Sequence, residues 1–429
     1  MTLLKGSTIL FAASMVGNIA NYLFQFYMSR YLSVDDFGAM NSLLSLMVII
    51  SVPSMAILLI ITKYTSELKA RDESSHIQSL LIRAFKHIGS LGLTILIIFL
   101  TSSSIISTYL QIDARLPIIL IGLAIFFYLL STINMGILQG LQQFLALGVC
   151  GGLSGAFRLV IGAVLVYMGL QLNGALLGVF LAPFLVLVVS FFPLWGVITS
   201  PFQARWQISP VEIISYGIPV TLTSLSIMAL TNVDLVMVKH YFPPQEAGFY
   251  AACAVLGRTV FYLPGAIVMA MFPMVAEGHT LNRDTSRLLQ KALSYTFLMS
   301  ATGALILIFF PELMLITLFG ERFGTASNLL RLYSIAMLPV ALINILANYN
   351  LARRKSKYIY LMFSTSIAEI VLVHFLHGSL AQVIYVVIAI SFFLLTALFL
   401  IVIKDHQPDI KPVGASDRET FLNTINPRT

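Results

Sequence analysis

Charge is what this sequence has least of. Only 10% of its 429 residues are Asp, Glu, Lys or Arg, whereas a soluble domain carries about 25%. Hydrophobic residues make up 58%, and the mean hydropathy is +0.92. No stretch is polar enough to enclose a large soluble core, which excludes a cytosolic enzyme or a nucleic-acid-binding domain as the body of the chain. The net charge of +7 therefore has to be read as membrane topology, since most Lys and Arg sit between apolar runs. Cysteine is nearly absent. Cys150 and Cys253 lie in or beside apolar segments, with neither a disulfide framework nor metal-ligand spacing. The histidines are scattered, and there is no nucleophile elbow and no nucleotide-binding loop. The sequence thus points to no enzyme, no cofactor and no metal, and any transport is expected to draw on a gradient or on substrate flux.

What is present is a succession of apolar runs, each about 20 residues long and so able to cross a bilayer as a helix. The pattern predicts an all-α membrane protein with about twelve transmembrane helices. They fall near 7–29, 37–62, 87–109, 116–138, 145–169 and 174–198, then 211–240, 245–276, 288–310, 325–349, 358–377 and 380–403. Lys5 precedes an apolar run with no small-residue cleavage site, which reads as an uncleaved first helix. A charged loop is expected over 63–86 and a polar, two-proline link over 199–210. These divide the chain into lobes at 1–200 and 201–404, with a polar tail at 405–429.

The cations alternate in keeping with twelve spans. One side receives Lys5, the group from Lys63 to Lys86, Arg205, Arg283, Arg287, Lys291, the run from Arg353 to Lys357, and the basic residues of the tail. The other receives only Arg30, Arg115, Lys239 and Arg322. This bias places both termini in the cytoplasm. The two halves also echo each other at a constant offset of 210: Tyr31 with Tyr241, Asp36 with Glu246, Gly38 with Gly248, Asn134 with Asn344, Ser154 with Ser364 and Leu170 with Leu380. Six helices per repeat is an even number. The lobes should therefore share one orientation and be related by a pseudo-two-fold axis along the membrane normal.

Polar residues inside the spans mark candidate functional positions. Ser14, Asn18, Asn21 and Gln25 recur every three or four residues and share a helical face. The repeat-related helix carries Thr223, Ser224, Thr231, Asn232 and Asp234. Interhelical hydrogen bonding and a shared hydrated cavity both account for such faces. Four ionisable residues lie deep in spans: Arg158, Asp234, Arg258 and Glu369. Each costs about 2.5–3.5 kcal/mol near the bilayer centre on insertion scales. Asp234 and Arg258 sit on antiparallel neighbours at depths about five residues apart, roughly 7 Å, so they either pair or serve a cavity. Arg158 and Glu369 lie one position apart in the repeat register. Gly151 and Gly155 suit close helix packing better than a phosphate loop, because no Walker-type lysine follows. Pro53 and Pro264, also one register apart, are either hinges or packing kinks.

Three stretches carry a resemblance: RYLSVDDFGAMNSLLSL, ILQGLQQFLALGVCGGLSGAFRLVIGAVLVYMG and NVDLVMVKHYFPPQEAGFYAACAVLGR. They resemble the polysaccharide transporters, the Wzx-type oligosaccharide flippases of the multidrug/oligosaccharidyl-lipid/polysaccharide superfamily. The resemblance implies a twelve-helix, two-lobed fold in the cell (inner) membrane. It implies movement of undecaprenyl-pyrophosphate-linked oligosaccharide repeat units from the inner to the outer leaflet by alternating access, for O-antigen, capsule or exopolysaccharide. Membrane lipids and a polysaccharide polymerase are the other partners it suggests. Arg158 and Arg258 are then expected to meet the pyrophosphate, because the guanidinium fork suits phosphate. Asn18, Asn21 and Gln25 are expected in the cavity, and Asp234 and Glu369 in charge balance or ion coupling. A cation-coupled multidrug exporter of the same superfamily is the competing expectation. The peptidoglycan-precursor flippases, similar but with two further helices, are another.

Overall fold

In hydrocarbon every backbone donor and acceptor has to be satisfied within the segment, so long apolar runs fold as helices. The structure, a computed structural model, describes residues 3–71, 74–199, 210–281, 283–353, 355 and 357–406. Among them are seventeen α-helices and no strand. The first half holds α1 (Leu3–Tyr31), α2 (Val34–Ile50), α3 (Pro53–Ala70), α4 (Ser74–Thr101), α5 (Ser103–Tyr109), α6 (Leu116–Gly140), α7 (Phe144–Leu165), α8 (Gln171–Phe191) and α9 (Trp195–Ile198). The second holds α10 (Pro210–Tyr241), α11 (Pro244–Tyr262), α12 (Gly265–Thr280), α13 (Ser286–Phe309), α14 (Pro311–Phe319), α15 (Ser327–Ala352), α16 (Lys357–Phe375) and α17 (Leu380–His406).

Local chemistry sets several of the boundaries. Ser33 caps α2 by accepting a hydrogen bond from the Asp36 backbone N–H, and Asp35 and Asp36 occupy its first turn, where they favour the helix dipole. At the equivalent point of the second half, α11 opens on Pro244 with Glu246 in its first turn. The run Phe144–Phe191 is 48 residues long. Straight, it would extend about 72 Å, against a hydrocarbon core of about 30 Å. It reverses instead at Gly169 (φ 92°) and Gln171 (φ 45°), a left-handed geometry that glycine enters without strain. The two arms then pack closely: a Cβ at Gly178 would stand 2.7 Å from the Gly162 Cα.

The two halves repeat a helix pattern with the expected offset. Both halves begin with one long helix, α1 and α10, followed after a tight turn by a broken pair, α2–α3 and α11–α12. The first pair bends by 44° at its break, just before Pro53, and the second breaks at Leu263–Pro264. Both prolines therefore stand at helix interruptions. The lobes meet through α2, which packs against α10 and α11. At this contact the repeat-equivalent glycines touch. A Cβ on Gly38 would lie 2.7 Å from the Gly248 backbone N, and a Cβ on Gly248 would lie 2.2 Å from the Val34 carbonyl oxygen. Equivalent residues meet in this way only near a two-fold axis.

Nine described helical runs are long and apolar enough to cross a membrane, or ten if α2 and α3 form one bent span. The α7–α8 hairpin, Phe144–Phe191, counts among them as a single run, and the first part of α1 lies outside the residues that could be counted. The expected charged loop over 63–86 is mostly helix: α3 runs to Ala70 and α4 starts at Ser74. The spans simply continue beyond their apolar parts, as Lys63 and Glu67 illustrate by pairing one turn apart at 3.9 Å. Lys239, expected at a span end among the cations facing one side of the membrane, is buried in the last turn of α10, with Asp35, Asp36 and Asp113 as charge neighbours. Most of the 199–210 link and most of the tail fall outside the described residues.

Candidate functional site

A cavity of about 870 Å³ opens between the lobes. From the first lobe it is lined by Asn18, Asn21, Tyr22 and Gln25 of α1, Asn41 and Ser45 of α2, Ser51 and Ser54 at the bend, Tyr128 of α6 and Arg158 of α7. From the second it is lined by Asn232 of α10 and by Arg258, Thr259 and Tyr262 of α11. All five residues expected in the cavity are on its wall. No Asp or Glu is among the lining residues.

Small residues create this wall. α1 and α7 approach so closely that a Cβ on Gly155 would stand 2.6 Å from the Gly17 carbonyl oxygen, and one on Gly17 would stand 3.1 Å from that of Gly151. Gly17 and Gly155 therefore serve packing, whereas a Cβ on Gly151 would meet nothing within 4 Å. Their contact brings Asn21 beside Arg158, whose Nη1 donates to the Asn21 Oδ1 at 3.4 Å. The guanidinium lies over the Phe24 ring, 4.7 Å from its centroid, a cation–π arrangement. The Arg158 Nε has no hydrogen-bond partner.

Arg258 is held differently. It is 9% exposed, and its Nη1 donates to the Ser45 Oγ of the other lobe at 3.4 Å. Its Nη2 lies 3.8 Å from the Asp234 Oδ1, an ion pair too long to be a hydrogen bond. Asp234 is fully buried and off the cavity wall. Its Oδ2 accepts hydrogen bonds from the Tyr250 and Tyr333 hydroxyls, each at 2.8 Å. The two rings meet edge-on, and Gly257 makes room for Tyr333, whose Cδ1 would lie 2.3 Å from a Cβ there. Pairing and cavity exposure were alternatives for Arg258; it does both.

Glu369 stands apart. It is fully buried in α16, does not line the cavity, and has no hydrogen-bond partner on either carboxylate oxygen. Its charge neighbour is Asp234. The polar residues of α10 divide. Asn232 lines the cavity, while Thr223 shares a hydrogen bond with the Tyr358 hydroxyl of α16 at 2.9 Å. The Ser14 side chain lies outside the described residues. Sequence reasoning missed Asn41, Ser45, Tyr22 and Tyr262. Asn41 and Ser45, four apart in an apolar helix, carry the same signal as Asn21 and Gln25.

At the end that carries Tyr31 and Tyr241 the lobes are clasped. The Arg30 Nη2 donates to the Thr317 carbonyl at 2.6 Å, and the Arg322 Nη2 donates to the carbonyls of Ser29 and Arg30 at 2.7 and 2.8 Å. The Tyr109 and His240 rings stack at 3.9 Å.

The chain is similar to several known proteins. An uncharacterized membrane protein of Methanocaldococcus jannaschii is 22% identical over 95% of this chain and 100% of its own length. Among solved structures, the inward-facing conformation of a multidrug resistance MATE family transporter of the MOP superfamily matches with a TM-score of 0.74 and 14% identity, over 92% of this chain and 96% of that one. Lipid II flippase MurJ in an inward closed conformation matches with a TM-score of 0.70 and 13% identity, over 93% and 87%. At such identities these structures establish the fold. The family is set by sequence: the profile described as polysaccharide biosynthesis protein matches residues 3–279, and the chain belongs to that family.

Proposed function

We propose that this protein is a flippase that carries polyprenyl-pyrophosphate-linked oligosaccharide across the cell membrane by alternating access between its lobes. The observation that carries the reading is the cavity wall: two guanidinium groups and many amide and hydroxyl groups, with no carboxylate among the lining residues. A pyrophosphate leaving water needs cationic donors. A sugar needs hydrogen-bonding groups that replace its hydration, because polar groups left unpaired out of water are costly. A cationic drug would find no countercharge on this wall.

The polysaccharide biosynthesis family and a fold shared with a lipid II flippase support a lipid-linked substrate. We take residues 1–200 and 201–404 as the two lobes and 405–429 as a cytoplasmic tail. α1 and both arms of the α7–α8 hairpin complete twelve spans, with the termini inside. The clasp near Tyr31 and Tyr241 then lies on the outer side, and the structure corresponds to an inward-facing state. Asp234 and Glu369 are the groups for charge balance or ion coupling.

Ligand-induced thermal stabilisation tests the reading. Purified protein in detergent is expected to be stabilised by a polyprenyl-pyrophosphate-linked oligosaccharide and not by ethidium, a cationic dye. Stabilisation by the dye alone would overturn the proposal in favour of the multidrug exporter of the same superfamily.

A further inference from the structure

The two cavity arginines are placed at unequal disadvantage, and the internal repeat shows how. With the 210-residue offset, Phe24 of α1 is the equivalent of Asp234 of α10. In the first lobe that position offers Arg158 an aromatic face. In the second it offers Arg258 a carboxylate. Arg158 therefore meets the cavity with its charge uncompensated, and Arg258 meets it with a built-in rival for any anion.

The rival is fixed and the arginine is not. Two tyrosine hydroxyls hold one Asp234 oxygen at 2.8 Å each. The other oxygen, which faces Arg258, makes no hydrogen bond. Arg258 Nε and Nη2 are likewise without hydrogen-bond partners, although both are buried. Its hydrogen bond to the Ser45 Oγ is long at 3.4 Å. A guanidinium on a flexible stem, loosely held at 3.8 Å and already on the cavity wall, can be drawn off by a ligand that offers a bidentate, multiply charged oxyanion.

We infer that Asp234 is a positioning residue that sets the affinity of the anion site by competing with the bound phosphate for Arg258. This rests on the flippase reading above and adds the regulation of that site. The benefit to a carrier is release: a site has to bind well enough to load yet weakly enough to unload. A pyrophosphate gripped by two unopposed arginines would stay. One that has to take Arg258 from Asp234 can be displaced when the carboxylate recovers its partner.

The test is calorimetric titration of the purified full-length protein with inorganic pyrophosphate. Asp234→Asn should tighten binding about tenfold, the scale expected for coupling between groups in contact. The gain should vanish when the same change is made in an Arg258→Ala background. Tyr250→Phe should do the opposite and weaken binding, because removing the hydroxyl that donates to Asp234 at 2.8 Å leaves more of the carboxylate charge for Arg258, and the loss should vanish in the Arg258→Ala background. Tyr250 is off the cavity wall, so this second variant carries the test if Asp234→Asn does not fold. General structural damage gives no tightening. Unchanged or weaker binding in Asp234→Asn, or a gain that persists without Arg258, would overturn the inference alone. Absence of pyrophosphate binding to the unmodified protein would overturn the anion-site reading as well.

Discussion

Asn21 shows how much a single atom decides at this site. Its Oδ1 accepts the only hydrogen bond found for Arg158 among the described residues, at 3.4 Å, and leaves the guanidinium charge available to the cavity. Asn21→Asp would change almost nothing in shape, yet it would give the first lobe the carboxylate that the second lobe has. Pyrophosphate affinity is then expected to fall about tenfold, whereas Asn21→Ala, which removes only a long hydrogen bond, should change it by less than about threefold. Equal losses in the two variants, measured by the same titration, would mean that the amide matters for shape and not for charge. The residues at this scale were largely legible. Asn18, Asn21 and Gln25 could be found by asking which polar groups in an apolar helix share a face, and Arg158 and Arg258 by asking which charges stand deep in spans. The partners were not legible, because Tyr250, Tyr333 and Phe24 are unremarkable in an apolar sequence and gain their roles only by proximity.

Helix contacts are governed by small residues whose importance differs by position. A Cβ on Gly248 would stand 2.2 Å from the backbone oxygen of Val34, whereas a Cβ on Gly151 would meet nothing within 4 Å. Backbone cannot rotate away as a side chain can. Gly248→Ala is therefore expected to destabilise the lobe contact by about 1–3 kcal/mol, the range for overpacked sites. Gly151→Ala should be neutral or stabilising by up to about 1 kcal/mol from helix propensity. Thermal unfolding in detergent should rank them in that order, and the reverse ranking would contradict the close lobe contact. The repeat and the helix breaks near Pro53 and Pro264 could be read in advance from spacing and breakers. The meeting of Gly38 with Gly248 could not, since an offset relates two positions without saying that they touch. The burial of Lys239 was hidden for a similar reason: its acidic neighbours Asp35, Asp36 and Asp113 come from distant parts of the chain.

For the whole molecule, two homologous lobes clasped at one end and enclosing a polar cavity form an arrangement that alternating access requires. The fold is shared with MATE transporters and with MurJ, so architecture alone does not choose the substrate, and the proposed choice rests on the chemistry of the wall. The direct measurement is translocation in proteoliposomes. A polyprenyl-pyrophosphate-linked oligosaccharide would be placed in one leaflet and its appearance in the other followed, for the unmodified protein and for Arg158→Ala. Loss of the charge-assisted contacts of one arginine, worth about 1.5–3 kcal/mol, should slow movement by about 10- to 100-fold. Translocation at the same rate in Arg158→Ala, or none in the unmodified protein while a cationic dye crosses, would contradict a cationic path for a lipid-linked sugar.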